Sequence, residues 1–269
     1  MNDEQRMLKR KTLQFNSNKM LTRLFFISII CITLLSPVNA EETNIDAKLL
    51  LTQVDDNIWS NTKYIQGRLI IDNGRTIRTL SVDNWMEGVE RSYSHYTAPA
   101  RERGTKMLKA DKKLWMYTPR ADRTILIAGH LLRQSMMGSD LSYEDMSEDK
   151  RLSRVYDATV EKMETLDGVL CAVLLLNSLE EDTNYQTRRL WVDPEKKIIL
   201  KQYLYAKSGK LLKTVEFKDY FKTSGRLFPR EMIYRDLLKE NTKTTYSFDA
   251  IEFDIEIPPQ YFSQSILKR

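Results

Sequence analysis

Short segments of alternating apolar and polar residues, joined by tight turns, run through most of this 269-residue chain. The clearest example is residues 62–71, which are followed by Asp72, Asn73 and Gly74, residue types that suit a hairpin turn. Strands joined by such short turns form an antiparallel meander and not a parallel sheet with crossover helices. The further segments of this kind are residues 75–82, 89–100, 105–109, 114–117, 124–127, 156–166, 169–179, 185–192, 198–206, 211–220, 231–236 and 243–253.

These segments predict about ten to twelve strands and a few helices. At residues 156–166 a helix stays possible, because Val155, Thr159 and Met163 recur at four-residue spacing. Residues 45–59 carry apolar side chains at helical spacing and predict an amphipathic first helix. The expected fold class is therefore α+β and mainly β, a curved antiparallel sheet or incomplete β-barrel with helices packed on one face.

Residues 1–40 have the three parts of a secretion signal. Six basic residues against two acidic ones precede an apolar run at residues 24–35, and Val38, Asn39 and Ala40 suit the cleavage positions. A run of about twelve residues is too short to cross a bilayer, which takes about twenty. We predict a signal peptide at residues 1–40, cleavage after Ala40 and a periplasmic protein, with an uncleaved N-terminal anchor as the alternative.

The mature chain, residues 41–269, is expected to be one domain, since no linker, low-complexity tract or clear repeat divides it. The net charge of +5 comes mostly from residues 1–40, and no basic patch is interleaved with exposed aromatic residues, so nucleic-acid binding is not expected. After cleavage Cys171 is the remaining cysteine, which excludes an internal disulfide.

Bulky apolar residues on short helical segments follow the hairpin at residues 114–127. Met136, Met137 and Met146 belong to this stretch, which Gly129 and Gly138 interrupt. Helices of one or two turns are unstable alone, so these side chains must lie against something larger, most simply the face of the sheet. They are either ordinary core or a lid over an apolar cavity.

The same stretch resembles a known family. Trp115, Tyr117 and Pro119, then an apolar strand, Gly129 and MGSDLSYED at residues 137–145 are similar to the LolA-like group of outer-membrane lipoprotein-sorting proteins, relatives of the periplasmic carriers LolA and LolB. Matching pieces elsewhere are Asp167 with Gly168, residues 190–193, residues 209–213 and Phe262, so the likeness extends over residues 59–267.

The resemblance implies a half-barrel over residues 41–269, whose curved sheet is lined with aliphatic and aromatic side chains and covered by helices. In such a protein the apolar cavity shelters acyl chains of lipoproteins or phospholipids. The implied partners are an inner-membrane complex of ABC or RND type and an outer-membrane acceptor. No cofactor is implied, and we expect a monomer.

Motifs of enzymes and metal sites are missing from the sequence. The two histidines, His95 and His130, have no metal-ligand spacing, and no GxSxG, P-loop, GxGxxG or HExxH occurs. His130, Ser135 and Asp140 could still meet in space as a triad, which keeps an esterase or phospholipase as one alternative. A ligand-free accessory subunit of an envelope complex is the other. We expect a protein without catalytic residues or a structural metal.

Candidate cavity residues follow from the alternation of the strands and from the lid stretch. A shift of one residue would exchange inward and outward side chains on any strand. The candidates are Trp115, Tyr117, Ile125, Ile127, Leu131, Leu132, Met136, Met137, Met146, Val173, Leu175, Trp191, Leu200, Tyr203 and Phe217.

Overall fold

One antiparallel sheet of thirteen strands runs through the part of the chain that the computed structural model describes, residues 45–110, 112–147, 150–181 and 183–268. Most sequence segments predicted as strands fall within it, and residues 156–166 form a strand and not a helix. The strands are β1 Thr62–Asp72, β2 Ile77–Glu87, β3 Arg91–Ala98, β4 Lys106–Ala110, β5 Lys113–Thr118, β6 Arg123–Ile127, β7 Tyr156–Leu166, β8 Val169–Ser178, β9 Thr187–Asp193, β10 Ile198–Tyr205, β11 Leu211–Thr223, β12 Arg226–Asp236 and β13 Lys243–Phe253.

The strand order is β6-β5-β4-β3-β2-β1-β13-β12-β11-β10-β9-β8-β7. Strands that are neighbours in sequence are therefore neighbours in the sheet, except β6 and β7, which form its two edges. The last strand pairs with the first, with Ile65 opposite Ile251 and Leu69 opposite Tyr246. The segment between β6 and β7 joins the two edges. The sheet is curved and open, as expected from the sequence.

Three α-helices and five 3₁₀ helices accompany the sheet in the described residues. The first helix, α1 Ala47–Ile58, confirms the predicted amphipathic helix and starts at Asp46, whose carboxylate accepts a hydrogen bond from the Leu49 N–H at 3.0 Å. The others are α2 Tyr143–Ser147, α3 Leu152–Val155 and the 3₁₀ helices Pro119–Ala121, Gly129–Arg133, Met136–Gly138, Pro259–Phe262 and Gln264–Lys268.

Helix α1 attaches α3 through a buried carboxylate. Asp55 accepts hydrogen bonds from the backbone N–H groups of Leu152 at 3.0 Å and Ser153 at 2.8 Å, the free donors at the start of α3. Burial raises the pKa of Asp55 above its ordinary value, although these hydrogen bonds oppose the shift. Helix α2 ends at Ser147, and Glu148 and Asp149 lie outside the described residues.

The face of the sheet that α1 packs against is called the inner face. Two apolar clusters cover it. One contains α1 and strands β7 to β11, with Leu51, Val54, Leu174 and Leu190 completely buried. The other lies on β1 to β6, β12 and β13 and has Leu69, Leu80 and Tyr96 at its centre. Both clusters consist of residues at alternate strand positions, as a sheet with one covered face requires.

The opposite, outer face carries two smaller apolar clusters. Trp85, Tyr93, Leu108 and Trp115 lie beneath the C-terminal 3₁₀ helices, where Tyr261 stacks at 4.8 Å from the Trp85 ring. Cys171, Val173, Trp191, Leu200 and Tyr203 form the second cluster. Several strands therefore bear apolar side chains on both faces.

The predicted signal peptide, residues 1–40, lies outside the described residues. Within the described ranges, no helix has the length and apolarity that crossing a bilayer requires.

Candidate functional site

Residues 129–147, called the lid below, lie across the inner face. Met136 is completely buried in the second inner cluster, and Leu131, Leu132 and Met137 pack against its edge. Tyr96 on β3 donates its hydroxyl hydrogen toward the Met136 sulfur at 3.4 Å. Each helix of the lid is too short to be stable in water alone, so these contacts with the sheet hold the segment in place.

A buried carboxylate ties the middle of the lid to β13 and to the end of β12. Asp140 accepts hydrogen bonds from the hydroxyls of Thr242 at 2.5 Å and Thr244 at 2.7 Å, and from the Asp236 N–H at 3.1 Å. Arg78 on β2 also donates to the Met137 carbonyl. Charge-assisted bonds of this kind are stronger than neutral ones.

A second carboxylate ties α2 to strand β11. Asp145 and the Lys213 ammonium form an ion pair at 2.5 Å, and Tyr185 donates its hydroxyl hydrogen to the same carboxylate at 2.8 Å. Asp145 also forms a capping box with Ser142, because each residue's side chain accepts a hydrogen bond from the other's N–H, at 2.8 and 3.1 Å. Burial opposes ionisation, but Lys213 and the hydrogen bonds outweigh it and hold the pKa of Asp145 below its ordinary value of 3.8.

A cavity of about 180 Å³, called the inner cavity, remains between the lid, the end of α1 and the sheet. Most of its wall is aliphatic or aromatic, which suits hydrocarbon. Its described lining residues are Ile58, Trp59, Lys63, Ile65, Asn84, Met86, Leu141, Asp145, Met146, Lys150, Phe228, Met232, Tyr234, Tyr246 and Phe248.

A cavity of about 240 Å³, called the rim cavity, lies on the other side of α2. Polar and charged groups make up much of its wall, and Leu238, which is 61% exposed, brings it to the protein surface. Its described lining residues are Arg133, Ser135, Leu141, Ser142, Asn184, Tyr185, Leu212, Lys213, Asp236 and Leu238.

A larger concavity, of about 720 Å³, has none of the lid residues in its lining. It is an open groove beside the C-terminal 3₁₀ helices, with Glu90, Arg91 and Lys112 among its lining residues. Charged walls open to water give hydrocarbon no shelter. Size alone therefore does not locate the candidate site.

The structure divides the fifteen candidate cavity residues between the two faces. The inner face holds Ile125, Ile127, Leu131, Leu132, Met136, Met137, Met146 and Phe217. The outer face holds Trp115, Tyr117, Val173, Leu175, Trp191, Leu200 and Tyr203. On β5, β8 and β9 the inward residues are the immediate neighbours of those predicted, such as Leu114 and Met116 in place of Trp115 and Tyr117.

Only Met146 of the predicted set lines the inner cavity among the described residues, and Ile125 is 40% exposed at the sheet edge. The main apolar lining, from Ile65, Met86, Phe228, Met232 and Phe248, was not predicted. Alternation within β12 and β13 does mark Met232 and Phe248 as inward. Nothing in the sequence shows that β13 pairs with β1 and so brings both strands under the lid.

The three residues considered as a triad do not act together in the described structure. Asp140 binds Thr242 and Thr244, and the Ser135 hydroxyl donates to the Ser139 carbonyl at 2.5 Å. The Lys239 ammonium donates to Ser135 at 2.8 Å. Within the described ranges His130 is exposed and hydrogen-bonds to neither of the other two. In this geometry His130 is not placed to act as a general base for Ser135.

The comparisons with known proteins agree with this architecture. A family model described as "Uncharacterized protein" matches residues 88–269, more than half of the chain. No curated protein matches the sequence.

Three solved structures share the fold. A DUF1329 family protein from Desulfovibrio piger has a TM-score of 0.74 and 24% identity, over 82% of this chain and 97% of the other. A domain from Vibrio parahaemolyticus named for outer membrane lipoprotein sorting has a TM-score of 0.71 and 20% identity, over 83% and 98%. A LolA superfamily protein from Nitrosomonas europaea has a TM-score of 0.70 and 21% identity, over 82% and 99%. The chain therefore belongs to the family that the model describes and has the LolA-like fold of the outer-membrane lipoprotein-sorting proteins.

Proposed function

We propose that this protein is a non-enzymatic periplasmic carrier that shelters acyl chains of lipoproteins or lipids beneath its lid and moves them toward the outer membrane. The observation that carries the proposal is an apolar inner cavity left unfilled under a lid of short helices. The fold, shared with a LolA superfamily protein and a lipoprotein-sorting domain, supports the same function.

The structure corresponds to a closed state of such a carrier. The inner cavity of about 180 Å³ is smaller than the roughly 300 Å³ at which ligand pockets begin. A long acyl chain therefore enters only when part of the lid moves. Residues 129–147 suit such movement, because their helices are short and the segment contacts the sheet through adaptable methionine and leucine side chains.

The energetics of acyl-chain binding imply partners. Each methylene removed from water contributes about 0.8 kcal/mol, so a sixteen-carbon chain gains on the order of 12 kcal/mol relative to water. Relative to a bilayer the gain is near zero, because the chain is already in hydrocarbon. The carrier therefore needs a complex that loads it, of ABC or RND type in the inner membrane, and an acceptor at the outer membrane.

The proposal includes the organisation of the whole chain. Residues 1–40 act as a signal peptide that is cleaved after Ala40, and residues 41–269 act as one half-barrel domain in the periplasm. The carrier works as a monomer, since one lid and one inner face make up the proposed site.

Lipid extraction tests the proposal directly. The full chain is expressed with its own N-terminal segment, recovered from the periplasm, extracted with organic solvent and examined by mass spectrometry. We expect acyl lipids at a stoichiometric level, and uptake of a fluorescent fatty acid by the delipidated protein. A protein that carries no lipid and takes up no probe would contradict the carrier function.

Two further measurements on the same sample separate the alternatives. Turnover of a short-chain ester that is abolished by Ser135→Ala would favour an esterase. A tight protein partner, with no lipid in the extract, would favour an accessory subunit.

A further inference from the structure

The inner cavity and the rim cavity are separated by one side chain. Among the described residues, Leu141 is the single residue that lines both. It is 2% exposed and follows the 3₁₀ helix Met136–Gly138, directly before the capping box of α2. Leu141 is therefore where the linings of the two cavities meet.

The polar part of the wall between the two cavities is the ion pair between α2 and β11. Asp145 lines the inner cavity and Lys213 lines the rim cavity, and their charged groups meet at 2.5 Å. Tyr185, also in the rim lining, donates to Asp145 at 2.8 Å. The polar groups of this wall are fixed by partners, whereas Leu141 is held by packing alone.

The hydrogen bonds of Leu141 are made by its backbone and not by its side chain. Its carbonyl accepts hydrogen bonds from the Met136 N–H at 2.8 Å and the Ser139 hydroxyl at 3.2 Å. Rotation about the side-chain torsions breaks none of these bonds. Leu141 is therefore the part of the lid whose movement joins the two cavities with the least disruption.

Each cavity alone is too small for an ordinary ligand, and hydrogen-bonding side chains make up a larger share of the rim lining than of the inner lining. Each is below the roughly 300 Å³ at which ligand pockets begin, and the two joined are within the usual range. Phe228 and Phe248 typify the inner lining, whereas Ser142, Asn184 and Tyr185 offer hydrogen-bonding groups at the rim. An occupant of both must have a hydrocarbon part and a polar part.

We propose that the two cavities are halves of one elongated site for a single-chain amphiphile, and that Leu141 is the specificity-determining residue between them. The hydrocarbon chain lies in the inner cavity and the polar head lies at the rim. This inference rests on the proposed carrier function and narrows its ligand to one acyl chain at a time.

Tryptophan fluorescence can test this arrangement. Trp59 lines the inner cavity, whereas the other three tryptophans, Trp85, Trp115 and Trp191, belong to the outer face. Dodecanoic and hexadecanoic acids brominated at the terminal carbon should quench Trp59 when the chain end reaches the inner cavity. Trp59→Phe should remove the quenching, which shows where the chain end lies.

Two substitutions at the wall and one matched control then test Leu141. Leu141→Ala should lower the dissociation constant of the brominated acids about tenfold, and Leu141→Phe should raise it about tenfold. Leu108→Ala is the control, because Leu108 is a fully buried leucine of the outer face that lines neither cavity. It should change the constant less than twofold.

Equal effects of Leu141→Ala and Leu108→Ala, or quenching that persists in Trp59→Phe, would overturn the inference. Leu141→Phe gives an independent answer if the alanine variant does not fold. If acyl lipid is found in the extract but the dissociation constant does not depend on residue 141, the carrier function is supported and this inference is wrong. If no lipid and no quenching are found, both the carrier function and this inference are wrong.

Discussion

Asp145 of the lid and Lys213 of β11 form an ion pair at 2.5 Å in which each side chain is only 10% exposed. Charges removed from water are costly unless they are paired and hydrogen-bonded. This pair meets the condition, because Tyr185 and the Ser142 N–H complete the shell around the carboxylate. The lid is therefore held at α2 by an interaction that is strong only while both partners are present.

Removal of one charge from this pair should lower the free energy of unfolding substantially. Asp145→Asn leaves the Lys213 ammonium buried without an anion, and we expect the free energy of unfolding to fall by about 3 kcal/mol. Urea denaturation followed by circular dichroism measures the loss. The matched control is Asp249→Asn, whose pair with Arg68 at 2.6 Å is 36% and 46% exposed and should contribute less than about 1 kcal/mol. Equal losses would show that burial of the pair is unimportant.

The same pair should make the free energy of unfolding depend on pH. The pKa of Asp145 is below 3.8 in the folded protein, so the folded state binds this proton more weakly than the unfolded state. The stabilisation is complete above the unfolded value of 3.8 and disappears as the pH falls through the folded pKa. Unfolding curves of the wild type and of Asp145→Asn should differ most near neutral pH and converge below pH 3.8. A difference in stability between the two proteins that stays constant down to low pH would contradict the lowered pKa of Asp145.

Gly67 on β1 should tolerate no side chain. A Cβ atom there would lie 2.7 Å from the Ser247 carbonyl oxygen and 2.8 Å from the Tyr246 ring, which lines the inner cavity. Gly67→Ala should lower the free energy of unfolding by about 1–3 kcal/mol. Gly168→Asn is the control, because its turn has no atom near the added Cβ and Asn accepts the left-handed backbone; its effect should be within about 0.5 kcal/mol. Thermal unfolding of both variants measures the two changes in stability and tests this prediction.

Filling the inner cavity should reduce ligand uptake without unfolding the protein. Met86 lines that cavity, so Met86→Phe should weaken binding of a fluorescent fatty acid about tenfold while the melting temperature stays within a few degrees. Leu200→Phe is the control, because Leu200 belongs to the outer face. Weakened binding in the Leu200 variant alone would place the ligand on the outer face instead.

The strands could be predicted where alternation and turns coincide. Residues 156–166 and 243–253 were predicted with the boundaries that β7 and β13 have. At β12 the predicted strand began at residue 231, after Pro229, whereas the strand starts at Arg226. Proline is tolerated because residues 226–230 pair with β11 on one side, and the pairing with β13 begins at Glu231, so the missing N–H faces no partner strand.

The direction of the side chains could not be predicted on several strands. On β5 both faces are apolar, with Leu114 and Met116 inward and Trp115 and Tyr117 outward beneath the C-terminal 3₁₀ helices. Alternation identifies a buried face only when the other face is polar. The outer face of these strands is also apolar, because its clusters form through contacts between residues far apart in sequence. The contrast between an apolar and a polar face is therefore absent there.

The inner cavity was the least predictable feature because its wall combines distant parts of the chain. Ile58 comes from the end of α1, Met86 from β2, Met146 from the lid and Phe248 from β13. The lid itself could be predicted, since glycine-interrupted apolar residues after a hairpin indicate short segments that need a surface. The surface beneath the lid depends on the pairing of β1 with β13, the first and last strands of the sheet in sequence.

Residues 128–155 connect β6 at one edge of the sheet with β7 at the other. The lid within this connection is bonded to β11 through Asp145 and to β13 through Asp140, so a change in the curvature of the sheet would move the lid as well. A protein that binds one edge strand would thus act on the helices above the inner cavity without contacting them directly.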